Sequence, residues 1–466
     1  MPRFPEPLAA ALASHSHPGL SLHLPLHSRG RGLPPSLRQL LRRGAGQWDL
    51  PELPTIGGPL EAEGAVAEAQ RHLADSWGAQ RSWFGVNGAS GLLQAALLGA
   101  LRPGQRLLCP RNLHRSVLHG LVLHDLEPVL FSPPFEPHSD LWLPPTPALM
   151  KQLLEAAGEV DLVLLVSPTY QGHAAPLAAL IRLCHGRGIP VLVDEAHGAH
   201  FRGSTSLPLD ALAAGADLVV QSTHKSLPGL GQGALLHLQG PRVDPERLER
   251  GLALLQTSSP SSLLMASSAL ASAWLHGTAG QRALRRGLDQ ARAWAEQLRR
   301  QGWRLSRNDD PLRLRIETRG LQRNGLLLDA ALQSLGVVGE LPEPTAITFC
   351  LGWQPQRCGA RHLSHALRAA CDAVPAVPLP AAEQPPLPLL GRLETELRQA
   401  WYGPRRHLPL QECLNRVIAE VISPYPPGIP LLLPGERLDA ARLDWLQRQA
   451  QLWPGRIGQR LWVLEG

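Results

Sequence analysis

The chain has 466 residues, 44% of them hydrophobic and 18% charged, with a formal net charge of +6. That length calls for two or three domains, and that composition for an ordinary globular protein rather than a disordered or fibrous one. The positive charge lies scattered in helix-like stretches such as QRALRRGLDQARAWAEQLRR, so it reads as solvated helix faces and not as a surface for nucleic acid.

The opening MPRFPEPLAAALASHSHPGL holds one short apolar stretch broken by prolines and histidines. It lacks the sustained apolar segment of a signal peptide, and no later stretch is long enough to span a membrane, so a cytoplasmic protein is expected. Residues 1–48 are rich in Pro, His, Gly and Arg and read as an extended N-terminal arm. His15, His17, His23 and His27 fall there, but Pro18 and Pro25 break any regular face and no Cys or carboxylate cluster joins them, so no metal site is expected. The six cysteines show no CxxC spacing and read as reduced, mostly buried thiols.

From about residue 60 the pattern changes. EAEGAVAEAQRHLADSWGA looks helical, RSWFGVNGAS reads as a strand and a tight turn, and GLLQAALLGAL as a helix that starts at that turn. Short apolar runs then alternate with helical stretches: QRLLCP, EPVLFSP, DLVLLVSP, IPVLVDEA, ADLVVQST and GALLHL. Continuous Val/Leu runs of this length mark parallel strands buried on both faces, and hence a doubly wound α/β sheet. After about 260 the alternation gives way to long helices and then to a mixed segment with strand-like RLRIET and AITFCL, which fits a smaller α+β domain. The proline-rich VPAVPLPAAEQPPLPLLG, residues 374–391, reads as a linker before a short C-terminal module.

Ligands bind beyond the carboxyl ends of the strands in such sheets. Four predicted strands end in polar residues there. SWFGVNGASG ends in a glycine-rich turn opening a helix, whose N–H groups and positive dipole end suit a phosphate. DLVLLVSPTYQG ends with Thr169, Tyr170 and Gly172, IPVLVDEAHGAH with Asp194, Ala196 and His197, and ADLVVQSTHK with Ser222, Thr223, His224 and Lys225. Lysine occurs only at Lys151 and Lys225 in a chain that otherwise uses arginine. Arginine serves as well on a solvated face, but its guanidinium does not deprotonate and cannot act as a nucleophilic amine. A phosphate cradle, a strand-end carboxylate and a strand-end lysine are what a pyridoxal phosphate site needs. Each piece has an ordinary reading too: a turn, a helix cap and a surface charge.

The stretches VLVDEAHGAHF, GADLVVQSTHKSLPGLGQGALLH and SPYPPGIPLLLPGE resemble the Orn/Lys/Arg decarboxylases, which have the aspartate-aminotransferase-like architecture (PLP fold type I). The likeness runs over about 20–275 and 405–440. It implies a PLP-binding large domain at 49–285, a small α+β domain at 286–373 and a C-terminal decarboxylase module at 392–466. It also implies PLP-dependent decarboxylation of lysine, arginine or ornithine. Lys225 would be the Schiff-base lysine and Asp194 the partner of the pyridine nitrogen. His114 in RNLHRS would stack on the ring. Gly88, Ala89 and Ser90, with Ser222 and His224, would hold the phosphate, and Ala196 and His197 would lie close to the ring. Thr257, in the Thr257-Ser258-Ser259-Pro260 stretch, would approach the phosphate from a second subunit; as a local pattern it reads equally as a helix cap. A homodimer with its sites at the interface follows, but not a larger assembly built on an N-terminal wing domain.

The chain departs from the family at three places. Pro25-Leu26-His27-Ser28 replaces a PGHK-like motif, Ala89 stands where a second hydroxyl is usual in the phosphate turn, and Gly231 stands where Ser or Thr is usual. These departures leave a weakened regulatory homologue open, and an aminotransferase or side-chain lyase on the same fold stays open because arginines that could clamp a substrate α-carboxylate abound. Glu412 and Glu436 are candidates for receiving a basic substrate's far end, each with a plain reading as a solvated or capping residue.

Overall fold

The computed structural model describes residues 7–14, 19–354, 359–424 and 428–465. His15, His17, Cys358 and the Tyr425-Pro426-Pro427 part of the C-terminal motif lie outside them. The chain divides into two compact units: residues 33–284 with 308–310 and 380–466, and residues 1–32 with 285–307 and 311–379.

The larger unit is built on an eight-stranded sheet. Its elements in chain order begin with α1 (Pro35–Arg42), α2 (Ala65–Trp77), β1 (Arg81–Gly85), α3 (Gly88–Ala100), β2 (Arg106–Pro110), α4 (Arg115–Leu123) and β3 (Glu127–Phe131). They continue with β4 (Leu162–Val166), β5 (Val191–Asp194), β6 (Leu218–Ser222), the short α5 (Thr223–Ser226), β7 (Ala234–Leu238), α6 (Pro245–Leu255), α7 (Ser262–His276) and β8 (Leu390–Gly391). The sheet order is β8-β3-β2-β4-β5-β6-β7-β1. Every residue of β5 and β6 is buried, as expected of strands covered on both faces.

Strands β3, β2, β4, β5 and β6 pair in parallel. The GALLHL strand, read with the parallel set, departs from it: β7 runs antiparallel to both β6 and β1. A continuous apolar run reports burial on both faces and carries no sign of direction, which is why the pattern missed this. The proline-rich segment read as a linker ends in β8, which pairs antiparallel with β3 at the sheet edge. Within the stretch read as an extended arm, residues 35–42 form α1, where Pro35 occupies the first turn and needs no N–H partner.

The main core lies between the sheet and α3, α4 and α6, with Leu92, Leu97, Val117, Leu121 and Leu248 essentially inaccessible. A second apolar cluster gathers Ile418, Leu431, Leu438, Trp445 and Val463 in the C-terminal part of this unit.

The smaller unit carries a three-stranded antiparallel sheet of Arg313–Glu317, Ala346–Cys350 and Leu341–Glu343, with helices Gly325–Ser334 and Gly359–Ala373. Leu20 and Ser21 pair in parallel with Val337 and Val338. Among the described residues no helix is long and apolar enough to cross a membrane. Among the same residues, no group of three or more His, Cys, Asp or Glu is placed to hold a metal ion.

Candidate active site

Because β1 to β6 all run the same way and β7 against them, the carboxyl ends of β1, β2, β4, β5 and β6 and the start of β7 share one edge. The segments that leave this edge carry the side chains of interest.

The turn read as a phosphate cradle follows β1. Asn87 precedes α3 without capping it by its side chain, and Gly88 adopts φ 68°, a left-handed conformation that suits glycine. The Gly88 N–H donates to the Gln232 carbonyl oxygen at 2.9 Å, and the Gly91 N–H to the Asn87 carbonyl. The amides of Ala89 and Ser90, at the first turn of a 13-residue helix, are the ones such a helix leaves over for a ligand. Ala89 is buried; Gly88 and Ser90 are half-buried.

Asp194 ends β5 at 6% exposure, and its Oδ1 accepts from the Ala196 N–H at 3.1 Å. Burial pushes its carboxyl above the usual range, while the Lys225 cation, the Ala196 amide and His114 pull the other way. A buried carboxylate in this state calls for a cation to keep it ionised, which a protonated pyridine nitrogen supplies. Ala196 and His197 follow in a buried turn. His197 Nε2 lies 3.4 Å from Lys225 Nζ, and the Tyr170 ring packs against His197 with centroids 4.5 Å apart. An ammonium can only donate, so this bond requires a neutral imidazole nitrogen.

Lys225 and His224 sit half-buried on α5, just past β6. His224 Nδ1 lies 3.4 Å from the Gly233 carbonyl oxygen. Ser222 closes β6 at 1% exposure, and its Oγ has no hydrogen-bond partner among the described residues. An orphaned buried hydroxyl costs stability unless a ligand takes it up. The donor set therefore fits pyridoxal phosphate: an orphaned hydroxyl and two helix-start amides for phosphate, a lysine for the aldehyde, and a buried carboxylate for the ring nitrogen.

His114 precedes α4 and caps it, its Nδ1 accepting from the Ser116 N–H at 3.2 Å and lying 2.8 Å from Ser116 Oγ. The ring is open to solvent on one side, yet protein packs closely enough on the other for desolvation to lower its pKa. Asp194 opposes that shift and Lys225 adds to it, so the three groups lie within electrostatic reach of one another.

Thr257 stands apart from this group. It is exposed in the loop between α6 and α7, where its Oγ1 accepts from the Ser259 N–H at 3.2 Å. Gly231 is half-buried in the loop before β7, and a Cβ there would meet no atom within 4 Å. Ser28 belongs to the smaller unit. Glu412 is exposed. Glu436 is not free to receive a substrate cation: its carboxylate is engaged by Arg111 at 2.6 and 2.9 Å and by the Leu433 N–H at 2.8 Å.

Sequence reasoning passed over a buried polar network that starts at the residue after Asp194. Glu195 is fully buried, accepting from the Ala211 N–H at 2.8 Å and from Gln221 Nε2 at 2.6 Å. Gln221 Oε1 lies 3.2 Å from His237 Nε2, and His237 Nδ1 lies 2.7 Å from Ser82 Oγ. Burial, and then Asp210, push the Glu195 carboxyl well up. The only hint in the sequence is the polar Gln221 inside the apolar run DLVVQS.

Comparison with known proteins places the chain in a family. The model of the Orn/Lys/Arg decarboxylase major domain matches residues 6–312, and that of the C-terminal domain matches residues 398–455. The arginine decarboxylase of Halalkalibacterium halodurans is 29% identical over 95% of this chain and 92% of its own. That of Bacillus subtilis is 28% identical over 96% and 94%. YaaO of Bacillus subtilis, itself uncharacterised, is 32% identical over 86% and 85%. The constitutive lysine decarboxylase of Escherichia coli superposes with a TM-score of 0.74 at 21% identity, over 93% of this chain and 78% of its own. A serine palmitoyltransferase solved with PLP gives 0.59 at 17% identity, over 76% and 87%. The architecture is that of the fold-type-I PLP enzymes, and with family matches spanning most of its length the chain belongs to the Orn/Lys/Arg decarboxylases, carboxy-lyases of basic amino acids.

Proposed function

We propose that this chain binds pyridoxal phosphate through Lys225 and decarboxylates L-arginine to CO2 and the corresponding amine. One observation carries the assignment of the site. Lys225, Asp194 and His114 interact electrostatically at the carboxyl edge of one sheet, and His197 lies 3.4 Å from the lysine nitrogen. Arginine comes first because relatives matching over more than nine tenths of this chain bear the name arginine decarboxylase. Lysine is the second reading, since solved lysine decarboxylases share the fold.

When bound, the cofactor supplies a conjugated ring that accepts the electron pair left on the substrate α-carbon as CO2 departs. Lys225 would hold it covalently through the aldehyde, whose oxygen leaves as water. Asp194 holds a proton at the ring nitrogen, an electrostatic role strengthened by its exclusion from water. The Ala89 and Ser90 amides, Ser222 Oγ and His224 bind the phosphate. His114 would cover one ring face, and Ala196 and His197 would border the ring. Once the substrate amine has displaced it, Lys225, with His197 beside it, would return a proton to the α-carbon.

The working unit is a cytoplasmic homodimer with its sites at the two-fold interface. The exposure of the Thr257 turn supports this, since it leaves that turn free to meet a second copy.

The test is CO2 release from L-arginine, L-lysine and L-ornithine offered in parallel, with borohydride trapping and peptide mapping. Release from arginine with cofactor trapped on Lys225, both lost in Lys225→Ala, is expected. Trapping at Lys225 without release from any of the three would move the assignment to another reaction of the same cofactor. Full turnover by Lys225→Ala would remove the mechanism.

A further inference from the structure

We infer that Arg111 and Glu436 are positioning residues, whose buried ion pair sets the loop carrying His114 and so brings the C-terminal module into the alignment of the cofactor. The inference rests on the reading of His114 given above.

Arg111 is the first residue beyond β2, and His114 follows three residues later. The guanidinium and the carboxylate are 0% and 3% exposed and meet as a two-pronged fork, Nη1 to Oε2 at 2.9 Å and Nη2 to Oε1 at 2.6 Å. Both ends of the fork are fixed. The Arg111 N–H donates to the Phe131 carbonyl at 2.9 Å, and Glu436 Oε2 also accepts from the Leu433 N–H. Arg442 Nη1 lies 3.4 Å from Glu436 Oε1.

Little slack remains between Arg111 and the imidazole. The Leu113 N–H donates back to the Pro110 carbonyl at 3.3 Å, closing a tight turn, and His114 is then held by its capping contacts to Ser116. The loop carrying the ring is thus held at one end by the start of α4 and at the other by Arg111 and its fork.

A buried ion pair is a poor way to gain stability, because the desolvation it requires offsets most of the attraction. A planar fork does provide a single orientation, which an apolar contact would not. A third element confirms how closely the pair is fitted: a Cβ on Gly391 of β8 would lie 2.1 Å from Arg111 Nη2 and 3.1 Å from Glu436 Oε1.

Three variants separate orientation from neutralisation. Arg111→Lys and Glu436→Asp keep both charges but spoil the fork, and Gly391→Ala alters no charge and displaces the guanidinium. Each full-length holoenzyme is compared with wild type and with His114→Ala by thermal melting, borohydride trapping, the visible circular dichroism of the bound cofactor, and kcat. The expected result is a folded protein, with cofactor still trapped at Lys225, whose cofactor dichroism shifts toward that of His114→Ala. Turnover falls about 10- to 100-fold, the scale of a misplacement near 1 Å. Combination with His114→Ala adds no further loss. Wild-type dichroism and turnover in the folded variants, or losses that add fully to that of His114→Ala, would overturn the inference. Absence of trapping at Lys225 in the wild type would overturn the cofactor assignment first and this inference with it.

Discussion

Gly231→Ser puts a hydroxyl beside the turn proposed to hold the phosphate, and is expected to tighten cofactor binding. Gly231 precedes Gln232, whose carbonyl holds the Gly88 N–H at the first turn of α3. A side chain at 231 would meet no atom within 4 Å, and the backbone there is outside the left-handed region, so serine fits without strain. A hydroxyl donating to a charged group contributes about 1.5–3 kcal/mol. Ordering the serine rotamer takes back a few tenths to about 1 kcal/mol. The balance, about 1–2 kcal/mol, corresponds to roughly 5- to 30-fold tighter cofactor binding. Stripped apo-protein titrated with pyridoxal phosphate gives the dissociation constant for wild type and variant. An unchanged constant in a folded Gly231→Ser protein would mean that this loop does not face the phosphate, and the placement of the cradle would have to be redrawn.

Two further outcomes follow from buried ionisable groups. Burial raises the Asp194 pKa, so the ionised form costs the apo-protein stability above that pKa and nothing below the ordinary carboxylate range. Asp194→Asn is therefore expected to melt higher than wild-type apo-protein at pH 7 and alike at pH 3, while cofactor affinity and turnover fall; paired melting curves check it. His237 is pushed down from 6.5 to about 3 by burial, then by Arg202 and His276. Between those pH values the unfolded chain takes up a proton that native His237 refuses, so stability falls with acidification by about 1.4 kcal/mol per pH unit. His237→Gln should flatten that slope in urea titrations from pH 7 to 5; an unchanged slope would place the acid sensitivity elsewhere.

The sheet was legible because its strands are short, unbroken Val/Leu runs, and Lys225 because arginine is used almost everywhere else. Asp194, Ser222 and Lys225 could be placed on one edge from strand order alone. Other features were hidden for definable reasons. The direction of β7 leaves no trace in a pattern that records only burial. Strand β8 is two residues inside a proline-rich stretch, and it owes its place to pairing with β3 rather than to any local propensity. The Arg111–Glu436 fork joins residues 325 positions apart, and charge counting cannot distinguish Glu436 from a solvated acid. The Glu195–Gln221–His237 chain exists only once three strands are side by side.

The reversal of β7 also constrains how this enzyme can diverge. Parallel neighbours need a crossover of a dozen or more residues, whereas antiparallel ones can be joined directly. The segment after β6 therefore turns straight back into β7, latched by Thr223 N–H to the Gly233 carbonyl at 3.0 Å and by Gly229 N–H to the Thr223 carbonyl at 3.2 Å. Gln232 then ties it to the first turn of α3. Lys225 and the start of α3, the proposed nucleophile and anion cradle, are thus joined through one short segment, and an insertion between 226 and 232 is expected to separate them. Changes in length are therefore expected outside 223–233, in segments that no such latch ties to the start of α3.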